Sequence, residues 1–204
     1  MRTYVNDSDR RELQSASEAG PDAVLPLLTE HRPKLRRMVA LRMDRRIQQR
    51  VDPSDVIQEA YIEAAQRLAE YLQKPEVPFF VWLRFLTHQK MLQVQQRHLG
   101  VQARDPRQEM SLQKNYGHAT SAAIAAQLIG KDDTPGMAAV KAEMRMQHEA
   151  ALEELDELDR EVLALRHFEQ LKNGEVANIL GISTKAASKR YFRALGRLKK
   201  IVGS

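Results

Sequence analysis

The chain has 204 residues, 43% of them hydrophobic, enough for one domain or two small ones with real cores. It holds no cysteine, which excludes a disulfide framework and thiolate metal sites, and no apolar run approaches the length of a membrane span. A net charge of +5 permits nucleic-acid binding without establishing it, so the distribution of charge says more than the total.

Aromatic residues are sparse and good helix formers dominate, which predicts an all-α chain. Residues 1–22 are polar and charged rather than signal-like and read as an amino-terminal tail or short lead-in helix, so a cytoplasmic location is expected. Residues 23–50 are helical in pattern, with Leu27, Leu28, Leu35, Met38, Val39 and Leu41 apolar. Between His31 and Arg50 stand eight Lys or Arg and one acid, Asp44. Such a run is ordinarily a solvated helix face; beside an acidic neighbour it becomes one side of a polarised bundle.

That neighbour spans residues 52–72. Asp52 suits a helix cap, Pro53 the first helical position, and Asp55 the positive end of the dipole. Val56, Ala60, Tyr61, Ala64, Leu68, Tyr71 and Leu72 form the inward stripe. Asp55, Gln58, Glu59, Ile62 and Gln66 share the opposite side, where an isoleucine sits among acids and amides. One reading is a surface helix with a stray Ile; the sharper one is a face that docks on a basic protein.

Two prolines in residues 73–78 break the helix, and residues 79–100 resume it. Trp82, Leu86, Gln89, Gln93 and Arg97 share a stripe with Lys90 beside it. An aromatic followed by amides and bases suits unpaired nucleotides, by stacking, edge bonding and phosphate contact. For a lone Trp, burial in a core is the competing reading. Residues 101–137 contain polar, Gly- and Pro-punctuated pieces around a short, weakly helical SAAIAAQLI, and read as a linker between domains at 23–100 and 138–204.

In the second domain, residues 149–161 carry seven acids. Residues 172–180 form a short helix, Gly181 and Ile182 a turn, Ser183 a cap, and residues 184–202 a second helix, which is helix-turn-helix spacing. Ala187, Tyr191, Ala194, Leu195 and Leu198 face inward, while Lys185, Lys189, Phe192, Arg193 and Lys200 point away. The second helix has seven basic residues and no acid, which points to DNA.

Taken together, DPSDVIQEAY, VWLRFLTHQK and LKNGEVANILGISTKAASKRYFRALGRLKK resemble a two-domain sigma factor of the sigma-70 family, of the extracytoplasmic-function type. The resemblance implies a region 2-like bundle, a region 4-like helix-turn-helix domain, and promoter recognition in transcription initiation without cofactor or metal. Asp55, Gln58, Glu59, Ile62 and Gln66 would then bind the clamp coiled coil of core RNA polymerase, whose flap is a further implied contact. Trp82, Gln89, Lys90, Gln93 and Arg97 would melt and hold the −10 element. Lys185, Ser188, Lys189, Arg190, Phe192 and Arg193 would read the −35 element. An anti-sigma factor is a further partner that the family admits; a membrane is not. The chain departs from the family at Gln89, where Asn is common, and at Gln93, Val94, Gln95 and Gln96, where bases are common. Asn173 and Gly174 replace an aromatic and an acid.

Two rivals to this reading are a stand-alone helix-turn-helix regulator and a protein-binding helical adaptor. The first leaves the Ile62 face unused and the second leaves the basic helix unexplained. An enzyme is not expected: His31, His88, His98, His118, His148 and His167 are scattered, and neither a glycine-rich phosphate loop nor a nucleophile elbow is present.

Overall fold

The computed structural model describes residues 7–99, 119–129 and 137–202, and every element among them is helical. The chain divides into two compact units, Met1–Tyr116 and Gly117–Ser204. No described helix is long and apolar enough to cross a membrane.

The first unit contains α1 (Asp7–Ala19), α2 (Pro21–Glu30), α3 (Arg32–Arg42), α4 (Arg45–Gln48), α5 (Pro53–Gln73) and α6 (Phe79–Leu99). Helix α1 is no loose tail: Leu13 and Ala16 are buried where it packs on α2 and α5, a stripe too short to stand out from a polar sequence. The basic stretch is three helices rather than one, because the chain turns at His31 and again at Met43. Asp44 caps α4 by accepting from the Arg46 N–H at 2.8 Å.

Helix α5 begins as its sequence directs, with Asp52 accepting from the Ser54 N–H at 2.7 Å and Pro53 next. Its inward stripe buries Val56, Ala60, Tyr61, Ala64, Leu68 and Tyr71, with Ile57 added and Leu72 only half-buried. Against it lie Leu35, Met38 and Val39 of α3 and Val81, Leu83 and Leu86 of α6, all fully buried. At the far end α5 stops at Lys74, and the Tyr71 hydroxyl donates to the Val77 carbonyl at 2.8 Å, pinning the proline-bearing loop.

The second unit holds α7 (Ser121–Ile129), α8 (Ala138–Glu153), α9 (Glu157–Leu163), α10 (Asn173–Leu180) and α11 (Thr184–Val202). Helix α9 runs into a π-helical turn at Ala164–Phe168, where the Glu169 N–H reaches the Ala164 carbonyl at 3.0 Å. The expected linker at 101–137 needs correcting in its middle, where α7 is a packed element; residues 101–118 and 130–136 lie outside the described residues. Ile124 and Ala125 are fully buried, and the small alanines let α7 come close to α8. Polar bonds hold its start: the Ala119 N–H donates to the buried Glu161 carboxylate at 2.9 Å, and Arg160 donates to the Ser121 hydroxyl and the Leu152 carbonyl, both at 3.1 Å.

The helix-turn-helix forms as the spacing predicts. The Lys172 N–H donates to Glu175 at 2.7 Å, closing the start of α10. Gly181 ends it at φ 64°, ψ 28°, a left-handed conformation that favours glycine, and the Ile182 N–H bonds back to Ala177 at 3.0 Å. Ser183 then caps α11 by accepting from the Ala186 N–H at 3.1 Å. Ala187 and Ala194 of α11 are fully buried.

What sets the rotation of α11 is Asp159 of α9, whose side chain has 0% exposure. Arg193 meets it with two bonds of 2.8 and 2.6 Å, and Arg190 with one of 2.7 Å. Burial alone would push the Asp159 carboxyl up; the bonds from Arg193 and Arg190 outweigh it and hold its pKa below the ordinary carboxylate value. Because the folded pKa is depressed, this stabilisation is fully present above the unfolded pKa of about 3.9 and is lost as pH falls through the folded value. Asp159→Asn should therefore cost about 1–3 kcal/mol near neutral pH, measured by denaturant unfolding of the full chain. The difference between the two proteins should shrink as pH falls below about 4; a pH-independent difference would show that the charge of Asp159 is not what holds α11.

Candidate partner and nucleic-acid interfaces

The outer face of α5 is wet as far as its sequence suggested. Asp55, Gln58 and Gln66 are exposed, and Ile62 at their centre is 60% exposed. Glu59 is half-buried and meets Arg97 of α6 at 3.4 Å. The result is one aliphatic anchor inside a ring of acids and amides, a pattern that concentrates binding energy in few residues.

Helix α6 divides along its length. Trp82 is only 7% exposed and stacks on Tyr71, with ring centroids 4.6 Å apart and planes inclined by 22°. Phe79 tilts against both, at 5.8 Å from Trp82 and 5.9 Å from Tyr71. The expected freely accessible stacking ring is therefore corrected: Trp82 is built into the α5–α6 core. Leu86 on the same stripe is also fully buried, while Gln89 and Gln93 are half-buried and Arg97 is exposed. Lys90 pairs with Glu63 of α5 at 2.8 Å, and Glu63 also holds Arg67 at 3.1 Å. Burial raises the Glu63 pKa and the bonds from Lys90 and Arg67 overcome that, leaving it lowered. In this state Lys90 and Arg97 face α5 carboxylates.

The loop between α5 and α6 shapes a pocket of about 280 Å³, with Arg67, Tyr71, Lys74, Val77 and Trp82 in its wall. That is near the lower limit of ordinary ligand pockets, about 300 Å³. Burial pushes the Tyr71 phenol well above its usual range, so at neutral pH it stays a donor to Val77. The pocket's edges carry the Lys74–Glu76 pair at 2.8 Å and the Arg67–Glu70 pair at 3.5 Å. Sequence spacing marked the loop through its two prolines but not the residues that wall the cavity.

On α11 the outward residues separate into two groups. Lys185 and Lys189 are exposed, Ser188 is half-buried between them, and Phe192 is 68% exposed. These four lie in the amino-terminal half, the part of a recognition helix that meets base edges. Arg190 and Arg193, expected on that surface too, turn their guanidiniums onto Asp159 instead. Asp159 was missed because its partners lie 31 and 34 residues away, with no local pattern to signal them. No group of three or more His, Cys, Asp or Glu among the described residues is placed to hold a metal ion.

Trp82→Ala should cost about 3–5 kcal/mol of folding stability, the usual cost for a buried Trp, as read by denaturant unfolding of the full chain. Trp82→Phe should cost clearly less. A near-neutral Trp82→Ala would mean that the ring contributes nothing to the core.

Comparison with known proteins places this geometry. Residues 145–198, from the second half of α8 to near the end of α11, match the family model for sigma-70, region 4. Over 143 residues, 69% of this chain, the sequence is 34% identical to a probable RNA polymerase sigma factor, RfaY, of Xanthomonas campestris pv. campestris. The chain spans 31% of that relative's length. The structure of CnrH in complex with the cytosolic domain of CnrY shares the fold, with a TM-score of 0.51 at 20% identity, covering 97% of this chain and 98% of that one. The carboxy-terminal helix-turn-helix is a sigma-70 region 4 domain, and the chain is similar in sequence to a sigma factor over 69% of its length.

Proposed function

We propose that this chain is an RNA polymerase sigma factor of the extracytoplasmic-function type, which binds core polymerase through its first unit and directs it to promoters in transcription initiation. The observation that carries the reading is the match of residues 145–198 to sigma-70 region 4. The relative RfaY, itself named a probable sigma factor, supports it over 69% of the chain.

In this reading the face of Asp55, Gln58, Glu59, Ile62 and Gln66 docks on the clamp coiled coil. Its support is an exposed isoleucine that no contact within the first unit explains. The pocket walled by Tyr71, Lys74 and Trp82 receives a base extruded from the −10 element, with the half-buried Gln89 and Gln93 beside the strand. Capturing that base offsets an unstacking cost of roughly a few kcal/mol. Lys185, Ser188, Lys189 and Phe192 read the −35 element, and Arg190 and Arg193 orient the helix that carries them. Phosphate contacts supply salt-dependent affinity and base contacts supply the choice of promoter. Two weak DNA contacts on one docked chain then act at high effective concentration. The chain itself needs no catalytic chemistry for this. The fold neighbour CnrH is solved with a protein bound, the cytosolic domain of CnrY, which supports an anti-sigma partner for this chain too.

The test has two arms. Ile62→Asp should abolish competition for core polymerase while leaving thermal melting unchanged, since surface changes usually stay within about 0.5 kcal/mol. Lys185→Ala with Lys189→Ala should leave polymerase association intact and weaken holoenzyme binding to a promoter by about 1–3 kcal/mol per lost contact. Normal polymerase association by Ile62→Asp would remove the docking face. Specific duplex binding by the free chain, equal to that of the holoenzyme, would favour a stand-alone regulator.

A further inference from the structure

We propose that the outward face of α3 is a third nucleic-acid contact, a groove that takes the sugar–phosphate backbone. It rests on the sigma-factor reading for its ligand and adds a surface which that reading does not use. Thr29, Arg32, Pro33, Arg36, Arg37 and Ala40 line an open groove of about 570 Å³. Three of the six are arginines and none is acidic. At 100° per residue these positions share one stripe, which continues in register from the end of α2 across the turn at His31. The opposite side of α3 is spent on the core, through Leu35, Met38, Val39 and Leu41.

Three features separate this face from an ordinary solvated one. The first is the choice of cation: the three basic residues that line the groove, Arg32, Arg36 and Arg37, are all arginines. Solvation alone gives no reason to avoid lysine, whereas the planar guanidinium fork matches a phosphate with two parallel bonds. The second is availability. Arg32 and Arg36 are exposed, and among the described residues neither forms an ion pair. They help to lower the Asp52 pKa, after the larger effect of the Ser54 N–H, but Asp52 is engaged as the cap of α5. The third is spacing. Arg32 and Arg36 are four residues apart, about 6 Å along the helix, which spans one to two nucleotides at about 3.4 Å per nucleotide along one strand. Between the cations, Pro33 and Ala40 give an apolar floor on which a sugar can rest. The lining holds no large apolar side chain to anchor a protein partner, and so favours a backbone of alternating sugar and phosphate over an acidic peptide.

The experiment uses the full chain assembled with core polymerase. Arg32→Glu with Arg36→Glu, and separately Arg32→Lys with Arg36→Lys, are titrated at several salt concentrations against a promoter duplex and against the same promoter with a pre-melted bubble. Two lost phosphate contacts should lower the slope of log K against log salt by about 1.8 on the duplex or about 1.4 on the single strand. The arm that changes tells which form of DNA lies in the groove. The Lys pair should keep the slope and lose only a few-fold in affinity. Polymerase association and thermal melting should not change in either variant. Unchanged slopes in both arms would overturn the site, and loss of polymerase association with unchanged slopes would make the face an acidic-protein contact instead. The same series is run on the free chain with non-specific duplex. A reduced slope there keeps the groove even where the unmodified chain fails to bind polymerase, so failure of the sigma-factor reading and failure of the groove give different results.

Discussion

A carboxylate shut away from water stays charged only when something of opposite sign meets it, and Asp159 is met by Arg190 and Arg193. The three groups lock α11 against α9. A helix held by two side chains one turn apart cannot roll, so the clamp decides which residues of α11 face outward. It thereby leaves Lys185, Ser188, Lys189 and Phe192 on the surface and neutralises two guanidiniums beside them. A count of bases on the helix overstates its free charge. The first unit repeats the lesson with Glu63, which holds both Lys90 and Arg67.

How much was legible in the sequence depended on how local each cause was. The start of α5 was readable because Asp52, Ser54 and Pro53 stand side by side and act on one another. The turn before α11 was readable because one glycine supplies its left-handed residue and the next serine its cap. The helical character of α7 was readable but its packing was not, since its anchors are Glu161 and Arg160, about forty residues further on. The Asp159 clamp failed for the same reason, and a run of seven acids gives no hint that two of them, Asp159 and Glu161, are buried. The family resemblance carried the function further than the periodicity did, because it named roles that no local pattern could assign.

Trp82 shows how a correct stripe can mislead. Helix α6 has 21 residues and is about 31 Å long at 1.5 Å per residue. Its first turns lie against α3 and the end of α5, where His31 approaches the Phe79 and Phe80 rings at 5.8 and 5.3 Å. In its last turn Arg97 is exposed and meets the Glu59 carboxylate of α5. One stripe therefore starts dry and ends wet, and a periodicity argument that treats the helix as uniform places Trp82 and Arg97 in the same environment. The dry end still borders the loop pocket, so Trp82 stiffens a wall where it was expected to offer a free ring.

The signs of the surfaces sort the partners. The outer face of α5 is acidic and amidic around Ile62, while every charged residue of α3 and of the amino-terminal half of α11 is basic. In the proposed reading a basic protein surface meets the first and a polyanion meets the others, so neither ligand competes with the other for a face. Salt acts on them unequally. Displaced counterions make each phosphate contact weaken steeply with ionic strength, whereas burial of an aliphatic anchor is far less sensitive. Rising salt should therefore release DNA before it releases the protein partner, and the order of loss follows from where the chain spends its isoleucine and where it spends its arginines.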